Sequence, residues 1–244
     1  MTTRTAPSPD RGQATTQTIA VAATAMQTVI DRTDGMPGIA VLSGAPGLGK
    51  TSAAVYLSHP AGFNAVYVRC RSFETTKSLS LLLLAELAIT PRTSWSTAMA
   101  FERICEALTI STRPLVVDEV DYIAESKTIN MLRDLHDTAH VPLFLIGEEG
   151  LKKTLGNSQQ RFHDRVLVWS KAMPADASDL DKLTRHYAPE LVLEPDAKRH
   201  LLATTQGVAR RIVTALAALK EHKLVQGADT LNLADVQTAL RAVR

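Results

Sequence analysis

The sequence of 244 residues contains little cysteine, few aromatic residues and no long uninterrupted apolar run. Its two cysteines, Cys70 and Cys105, cannot build a disulfide framework, and neither has a second cysteine or a histidine at metal-ligand spacing. We therefore expect a reducing, cytoplasmic setting. The longest apolar run, 79–89, contains Ser80 and Glu86 and is shorter than the roughly 20 residues that cross a bilayer. This excludes a transmembrane helix there, and we expect no membrane partner.

The excess of one sign of charge over the other is also small. The 27 Lys and Arg residues against 25 Asp and Glu residues give a net charge of +2, which is too small to coat nucleic acid by bulk charge alone. The charge is unevenly distributed, because residues 198–223 are mainly basic and residues 176–196 are mainly acidic. The hydrophobic share of 45% and the charged share of 21% are typical of a globular chain and exclude a largely disordered one.

The hydrophobic pattern predicts an α/β fold. Short continuous apolar runs, typical of parallel strands buried on both faces, occur at 39–42, 65–68, 115–117, 143–146 and 166–168. Helical periodicity predicts helices at 15–31, 49–58, 78–88, 95–110, 127–139, 176–186, 195–203, 207–222 and 233–243. We thus predict a flexible tail at 1–14, a P-loop domain with a parallel sheet and flanking helices at 15–170, and a small all-helical domain at 171–244.

A phosphate-binding motif follows the first predicted strand and opens the next helix. The motif fits the P-loop pattern and consists of Gly44, Ala45, Pro46, Gly47, Leu48, Gly49, Lys50 and Thr51. Its glycines let successive backbone N–H groups turn towards phosphate oxygens, while Lys50 reaches the terminal phosphates and the Thr51 hydroxyl can ligate Mg²⁺. The motif therefore predicts that ATP and Mg²⁺ bind here.

Two carboxylates end the third predicted strand, Asp118 and Glu119. The carboxyl ends of parallel strands lie at the edge of the sheet where the P-loop also opens. We therefore predict that Asp118 completes the Mg²⁺ shell and that Glu119 polarises the attacking water. One carboxylate for the metal and one for water predicts ATP hydrolysis as well as binding.

These motifs together resemble AAA+ ATPases. The resemblance rests on residues 44–51, on 116–119 and on the helical segment 207–211, and it covers about residues 15–244. It implies a P-loop sheet followed by a helical lid. Within AAA+ proteins, the compact size, the opening helix before residues 40–44 and the segment 145–151 resemble the DNA-transposition ATPases typified by the B protein of phage Mu. ExeA-type secretion ATPases share much of this pattern.

The resemblance implies further site residues. Glu148 stands where AAA+ proteins often keep an Asn sensor, and a carboxylate there would repel the γ-phosphate unless it is protonated or bridged. Either sensing is altered or the sensor lies elsewhere. Arg161 and Arg165 precede the last strand, where AAA+ proteins keep a finger that reaches the neighbouring subunit's nucleotide, and we prefer Arg161. Arg210 matches the second sensor on the lid helix.

The resemblance also implies DNA contacts. In the transposition relatives the region after the second strand lines a central opening and touches DNA, and here it carries Arg69, Arg71 and Lys77. Lys152 and Lys153 follow the fourth strand. These side chains can pair with phosphates, but none can read a base unaided. We therefore expect binding to duplex DNA without sequence preference.

Three functions follow as hypotheses. The first is an ATP-dependent AAA+ protein that oligomerises on duplex DNA, as a ring or helical filament, and recruits or stimulates a transposase. The second is an AAA+ ATPase that acts on a protein partner alone, of the secretion or helicase-loader kind. The third is a nucleotide switch that hardly hydrolyses ATP, in which Glu148 marks a lost sensor. DNA-dependent stimulation of ATP hydrolysis separates the first from the second, and a measurable turnover separates either from the third.

Overall fold

A computed structural model of the chain describes residues 13–92, 94–227 and 230–241. The predicted tail at 1–14 falls mainly on residues 1–12, outside these ranges. The chain divides into two compact units. Within the described ranges, the first unit comprises residues 21–45 and 50–171, and the second comprises residues 13–20, 46–49 and 172–241.

The first unit alternates strands with helices. α1 (Gln17–Ile30) starts in the second unit and continues in the first. The remaining elements of the first unit are β1 (Ile39–Ser43), α2 (Lys50–Ser58), β2 (Val66–Arg69), α3 (Thr76–Glu86), α4 (Thr97–Ser111), β3 (Leu115–Asp118), a 3₁₀ helix (Val120–Tyr122), α5 (Thr128–Ala139), β4 (Leu143–Gly147), α6 (Leu151–Ser158), α7 (Gln160–His163) and β5 (Val166–Lys171).

The five strands form one parallel sheet in the order β2-β3-β4-β1-β5. Every residue of β1, β3 and β4 is buried, which explains the continuous apolar runs in the sequence. The register aligns the ends of the strands, with Ser43 opposite Gly147 and Arg69 opposite Asp118. The P-loop therefore begins at the edge of the sheet where the strands end. Asp118 and Glu148 lie at the same edge. The predicted P-loop fold with a parallel sheet and flanking helices is confirmed.

Local side-chain chemistry accounts for where two helices of this unit begin. α3 starts at Thr76, earlier than the predicted residue 78, because Thr75 and Ser78 form a capping box. The Thr75 hydroxyl accepts from the Ser78 backbone N–H at 3.1 Å, and the Ser78 hydroxyl accepts from the Thr75 N–H at 2.8 Å. α4 starts at Thr97 because the Ser96 hydroxyl caps it by accepting from the Met99 N–H.

The second unit is mainly helical, as predicted. Its elements are α8 (Ala177–Tyr187), β6 (Val192–Leu193), α9 (Pro195–Thr205), α10 (Ala209–Gln226), β7 (Thr230–Leu231) and α11 (Leu233–Arg241). The short parallel pairing of β6 with β7 shows that the prediction of an entirely helical region was wrong. The strands were missed because two residues are too few to show an alternating pattern. Residues 242 and 243 of the last predicted helix lie outside the described ranges.

A small apolar core holds the second unit together, and it includes Leu180, Leu201, Ile212 and Leu216. The carboxylate of Asp179 is fully buried and accepts the first N–H of α1, that of Gln17, at 3.0 Å. This bond satisfies one of the N–H groups that a helix start leaves without an intrahelical partner. Among the described helices, none combines the length and apolarity needed to cross a membrane.

Candidate functional site

The P-loop connects β1 to α2 through residues 44–49. Gly47 and Gly49 have φ values of +83° and +88°, in the left-handed region that glycine adopts without steric cost. A Cβ built on Gly49 would meet nothing within 4 Å, so backbone conformation, and not packing, requires glycine there. A turn of this kind aims successive N–H groups outward and forms an anion-binding concavity. The loop therefore fits the phosphate groups of a nucleotide.

Lys50 folds back over the loop that precedes it. Its ammonium donates to the carbonyl oxygens of Gly44 and Ala45, the latter at 3.1 Å, and lies 3.7 Å from Oε1 of Glu148. The backbone N–H of Glu148 donates to Oδ2 of Asp121 at 2.7 Å, which fixes the backbone beside Lys50. A phosphate that binds here would compete with Glu148 and the two carbonyls for the Lys50 ammonium.

Asp118 lies buried at the end of β3, with only 2% of its surface exposed. Its Oδ2 accepts from the Thr51 hydroxyl at 3.1 Å and from the Tyr67 hydroxyl at 3.3 Å, and its Oδ1 accepts from the Glu119 N–H at 2.9 Å. Burial raises the pKa of Asp118, while these three hydrogen bonds oppose the shift. A carboxylate and a hydroxyl are oxygen donors of the kind that hold Mg²⁺ together with substrate phosphates. Thr51 and Asp118 therefore fit a Mg²⁺ site.

Glu119 has a strained backbone, with φ at +56°. A non-glycine residue in the left-handed region costs on the order of 1–3 kcal/mol. Unlike Thr112, His140 and Gln206, which end helices in this conformation, Glu119 follows a strand. Its Oε1 accepts from Nη2 of Arg69 at 3.1 Å, and the side chains of Glu119 and Arg69 are 29% and 59% exposed. The candidate catalytic carboxylate thus pairs with a residue that the sequence predicts to contact DNA.

The two candidate finger residues differ in their contacts. Nε of Arg165 donates to both carboxylate oxygens of Asp137 at 2.8 Å, and this hydrogen bond raises the pKa of Arg165. Arg161 is exposed on α7, and within the described ranges no acidic side chain forms an ion pair with it. Its guanidinium, unlike that of Arg165, is available for a neighbouring molecule.

Among the described residues, no side-chain contact links the other predicted site residues to the cluster formed by Lys50, Thr51, Asp118 and Glu119. Arg71, Lys77 and Lys153 are exposed, and the Lys152 ammonium lies 5.1 Å from the centre of the Trp169 ring. In the second unit, which includes residues 46–49, the Arg210 N–H donates to the Gly47 carbonyl at 3.0 Å. The Arg210 side chain is exposed. The roles assigned to these residues stay predictions.

Sequence reasoning missed two residues of the cluster, Tyr67 and Asp121. Tyr67 lies two residues before Arg69 on β2, so the two side chains share a face of the strand. Burial and the nearby Asp118 raise the pKa of Tyr67 to about 12, so it stays a neutral donor to that carboxylate. Burial also raises the pKa of Asp121. The period-two alternation of β2 was the available signal for Tyr67, but nothing in the sequence distinguished Asp121.

A family comparison is consistent with this geometry. Residues 33–155 match the family described as AAA domain, a range that contains the P-loop, Asp118, Glu119 and Glu148. The chain belongs to the AAA domain family. No curated protein matches its sequence.

Several solved structures share the fold at low sequence identity. They include the Aeropyrum pernix ORC1 protein in complex with DNA, at 20% identity and TM-score 0.67 over 96% of this chain and 66% of that one. They also include the Aeropyrum pernix ORC2 protein in its ADPNP-ADP complexes, at 15% identity and TM-score 0.69 over 99% and 70%. The Thermotoga maritima RuvB Holliday junction branch migration motor matches at 15% identity and TM-score 0.63 over 95% and 69%.

These comparisons confirm the resemblance to AAA+ proteins at the level of family and fold. The chain spans 66% to 70% of the length of the three solved proteins. The narrower resemblance to phage Mu B-type ATPases stays a prediction.

Proposed function

We propose that this AAA domain protein is an ATP-dependent, DNA-binding ATPase that oligomerises on duplex DNA and recruits or stimulates a transposase. The observation that carries the proposal is the ion pair between Arg69 and Glu119, 3.1 Å apart. The pair joins Arg69, a candidate contact to DNA phosphates, to Glu119, the candidate catalytic carboxylate. DNA binding and ATP hydrolysis would then share one pair of side chains.

The residues around the P-loop have separate roles in this proposal. The loop N–H groups and Lys50 hold the phosphates of ATP, while Thr51 and Asp118 hold Mg²⁺. Bound Mg²⁺ supplies positive charge that neutralises the phosphate oxygens. Tyr67 orients Asp118 through its hydroxyl, and Glu119 accepts a hydrogen bond from the attacking water and orients it. Arg210 would act as the second sensor of the phosphate charge, as the resemblance to AAA+ proteins implies.

The Arg69–Glu119 pair gives DNA a direct influence on this chemistry. While Arg69 donates a hydrogen bond to Glu119, the Glu119 carboxylate is less available to accept a hydrogen bond from the attacking water. A DNA phosphate is a competing acceptor for the guanidinium, since arginine binds phosphates and carboxylates by the same charge-assisted hydrogen bonds. DNA binding would therefore release Glu119 and stimulate ATP hydrolysis.

Structural relatives support the DNA-binding part of the proposal. One solved relative is an ORC1 protein in complex with DNA, and another is a Holliday junction branch migration motor. The transposase as partner rests on the resemblance of the segment 145–151 and the opening helix to phage Mu B-type ATPases.

DNA stimulation of ATP hydrolysis tests the proposal. We expect a saturating concentration of duplex DNA to raise the steady-state rate of the wild-type protein in ATP and Mg²⁺, whatever the base sequence of the duplex. Arg69→Ala should hydrolyse ATP faster than the wild type without DNA and respond less to its addition, because Glu119 is already released. The matched control is Arg103→Ala, which removes an exposed Arg–Glu pair 2.8 Å long on α4. An ATPase that no duplex stimulates would instead favour a protein partner.

The oligomer has its own test. Arg161→Ala should bind ATP as the wild type does but lose hydrolysis in the assembly, because its finger acts on the neighbouring subunit's γ-phosphate. Mixing Arg161→Ala with Lys50→Ala subunits, which bind ATP poorly but carry an intact finger, should restore part of the activity. Arg165→Ala serves as the comparison. If no mixing ratio restores activity, Arg161 is not the finger.

A second candidate function, a nucleotide switch with little hydrolysis, is favoured by the position of Glu148 3.7 Å from Lys50. A carboxylate at this distance opposes the binding of a γ-phosphate to the same ammonium. A wild-type turnover number too small to measure with DNA present would select the switch over the ATPase.

A further inference from the structure

The turn between β2 and α3 presents an aromatic side chain to solvent. Phe73 is 70% exposed, more than any other aromatic side chain among the described residues. It lies between two exposed basic residues of the same segment, Arg71 and Lys77. An apolar ring flanked by cationic side chains is the combination with which proteins bind the stacked bases and the phosphates of nucleic acids.

Hydrogen bonds fix the position of this turn. The Glu74 N–H donates to the Arg71 carbonyl at 3.0 Å, and the Arg71 N–H donates to Oε2 of Glu74 at 3.2 Å. Only Ser72 and Phe73 lie between the two bonded residues. The ring of Phe73 therefore projects from a closed two-residue tip.

Both sides of the turn are anchored to the sheet and to α3. The Cys70 N–H donates to the Asp118 carbonyl at 2.9 Å and extends the strand pairing by one residue. On the other side, the capping box of Thr75 and Ser78 starts α3 immediately after the turn. A backbone held in this way loses little conformational entropy when the turn binds.

The outer surface of the turn is basic. Within residues 70–78 the one acidic residue is Glu74, which is only 8% exposed and is directed onto the backbone of Arg71. The solvent-facing charges of this segment are therefore positive, and they complement a polyanion.

We infer that Phe73 is a wedge that enters a groove of duplex DNA and unstacks one base step, while Arg71 and Lys77 hold the flanking phosphates. This inference rests on the proposed DNA-binding function and adds to it the way in which the duplex is distorted. Apolar wedges of this kind kink DNA by partial unstacking. In an assembly, each subunit would contribute one wedge.

The wedge gives the protein a preference that involves no base reading. Unstacking costs least at flexible pyrimidine–purine steps such as TA and more in stiff A-tracts. The protein would therefore favour flexible sites, although Arg71 and Lys77 contact phosphates and not base edges.

Two duplexes of equal length test the wedge, one with a central TA step beside 2-aminopurine and one with a central A-tract. With ATP and Mg²⁺, the wild-type protein should raise the 2-aminopurine fluorescence and prefer the TA duplex by about tenfold. Phe73→Ala should lose both effects and keep the salt dependence of binding. Phe73→Leu should retain both, because leucine also acts as a wedge.

Two further variants separate the ring from the charges. Arg71→Ala should keep the TA preference and lower the salt slope by roughly 1 for each contact removed. Ile110→Ala is the matched apolar control, because Ile110 is 77% exposed and lies near the end of α4, which precedes the amino end of β3. It should behave as the wild type.

The remaining outcomes overturn the inference in distinguishable ways. DNA binding by the wild type without fluorescence change or TA preference excludes the wedge and leaves the DNA-binding function intact. The same holds if Phe73→Ala keeps both effects. Failure of the wild type to bind either duplex excludes the DNA-binding function and the wedge together. Stimulation of the ATPase by an unfolded polypeptide but not by DNA, lost in Phe73→Ala, assigns the ring to a protein partner.

Discussion

Glu119→Gln should bind ATP normally and hydrolyse it roughly 10²- to 10⁴-fold more slowly than the wild type, the range expected for loss of a general base. The amide keeps the shape of the carboxylate but cannot accept the proton of water. The strained backbone at residue 119, with φ at +56°, is unaffected by this change. Because the bound ATP is hydrolysed slowly, oligomers formed with ATP should persist. A steady-state assay measures the loss of hydrolysis, and light scattering measures the persistence of the oligomers.

The control for Glu119→Gln is Glu106→Gln. Both substitutions remove a carboxylate that pairs with an arginine, at 3.1 Å for Arg69–Glu119 and 2.8 Å for Arg103–Glu106, but only Glu119 follows Asp118. Glu106→Gln should hydrolyse ATP at the wild-type rate. If Glu119→Gln does so too, another residue activates the water and the coupling through Arg69 is wrong.

Much of the fold was predictable because its signals are local. The strands of the sheet are short apolar runs because β1, β3 and β4 are buried on both faces. The P-loop was predictable for the same reason, since its glycines, Lys50 and Thr51 are adjacent in sequence. Asp118 and Glu119 could be assigned to the sheet edge at which the P-loop opens, because they directly follow a recognisable strand.

The contacts that control the site were not predictable, because they join residues far apart in sequence. Arg69 appears in the sequence as one of several exposed basic residues. Its pairing with Glu119 depends on the register that sets β2 beside β3. The Tyr67–Asp118 hydrogen bond has the same origin. Hydrophobic patterning identifies strands but not strand order, so these partners emerge only from the assembled sheet.

The pair of two-residue strands was missed for a different reason. β6 and β7 are separated in the chain by two α-helices, α9 and α10. Neither strand is long enough to alternate. Leu193 of β6 and Leu231 of β7 are buried in the apolar core of the second unit, so tertiary packing and not local propensity accounts for the pairing.

Lys50→Ala should weaken ATP binding by on the order of 100-fold, since it removes charge-assisted hydrogen bonds to the terminal phosphates. Fluorescent-nucleotide titration measures the change. The fold should be retained, because the loop conformation depends on Gly47 and Gly49. Lys198→Ala is the control, since it removes a lysine that pairs with Asp181 at 2.7 Å in the second unit, and it should bind ATP as the wild type does.

The loss in Lys50→Ala has two sources, and Glu148 separates them. Removing the ammonium takes away an attraction for phosphate and also leaves the Glu148 carboxylate, 3.7 Å from Lys50 in the wild type, without its neutralising partner. Glu148→Gln alone should therefore strengthen ATP binding, because Lys50 no longer divides its charge between a carboxylate and a phosphate. In the Lys50→Ala background it should restore part of the lost affinity. If Glu148→Gln changes neither background, Glu148 does not oppose the γ-phosphate, and the proposed switch function loses the observation that favours it.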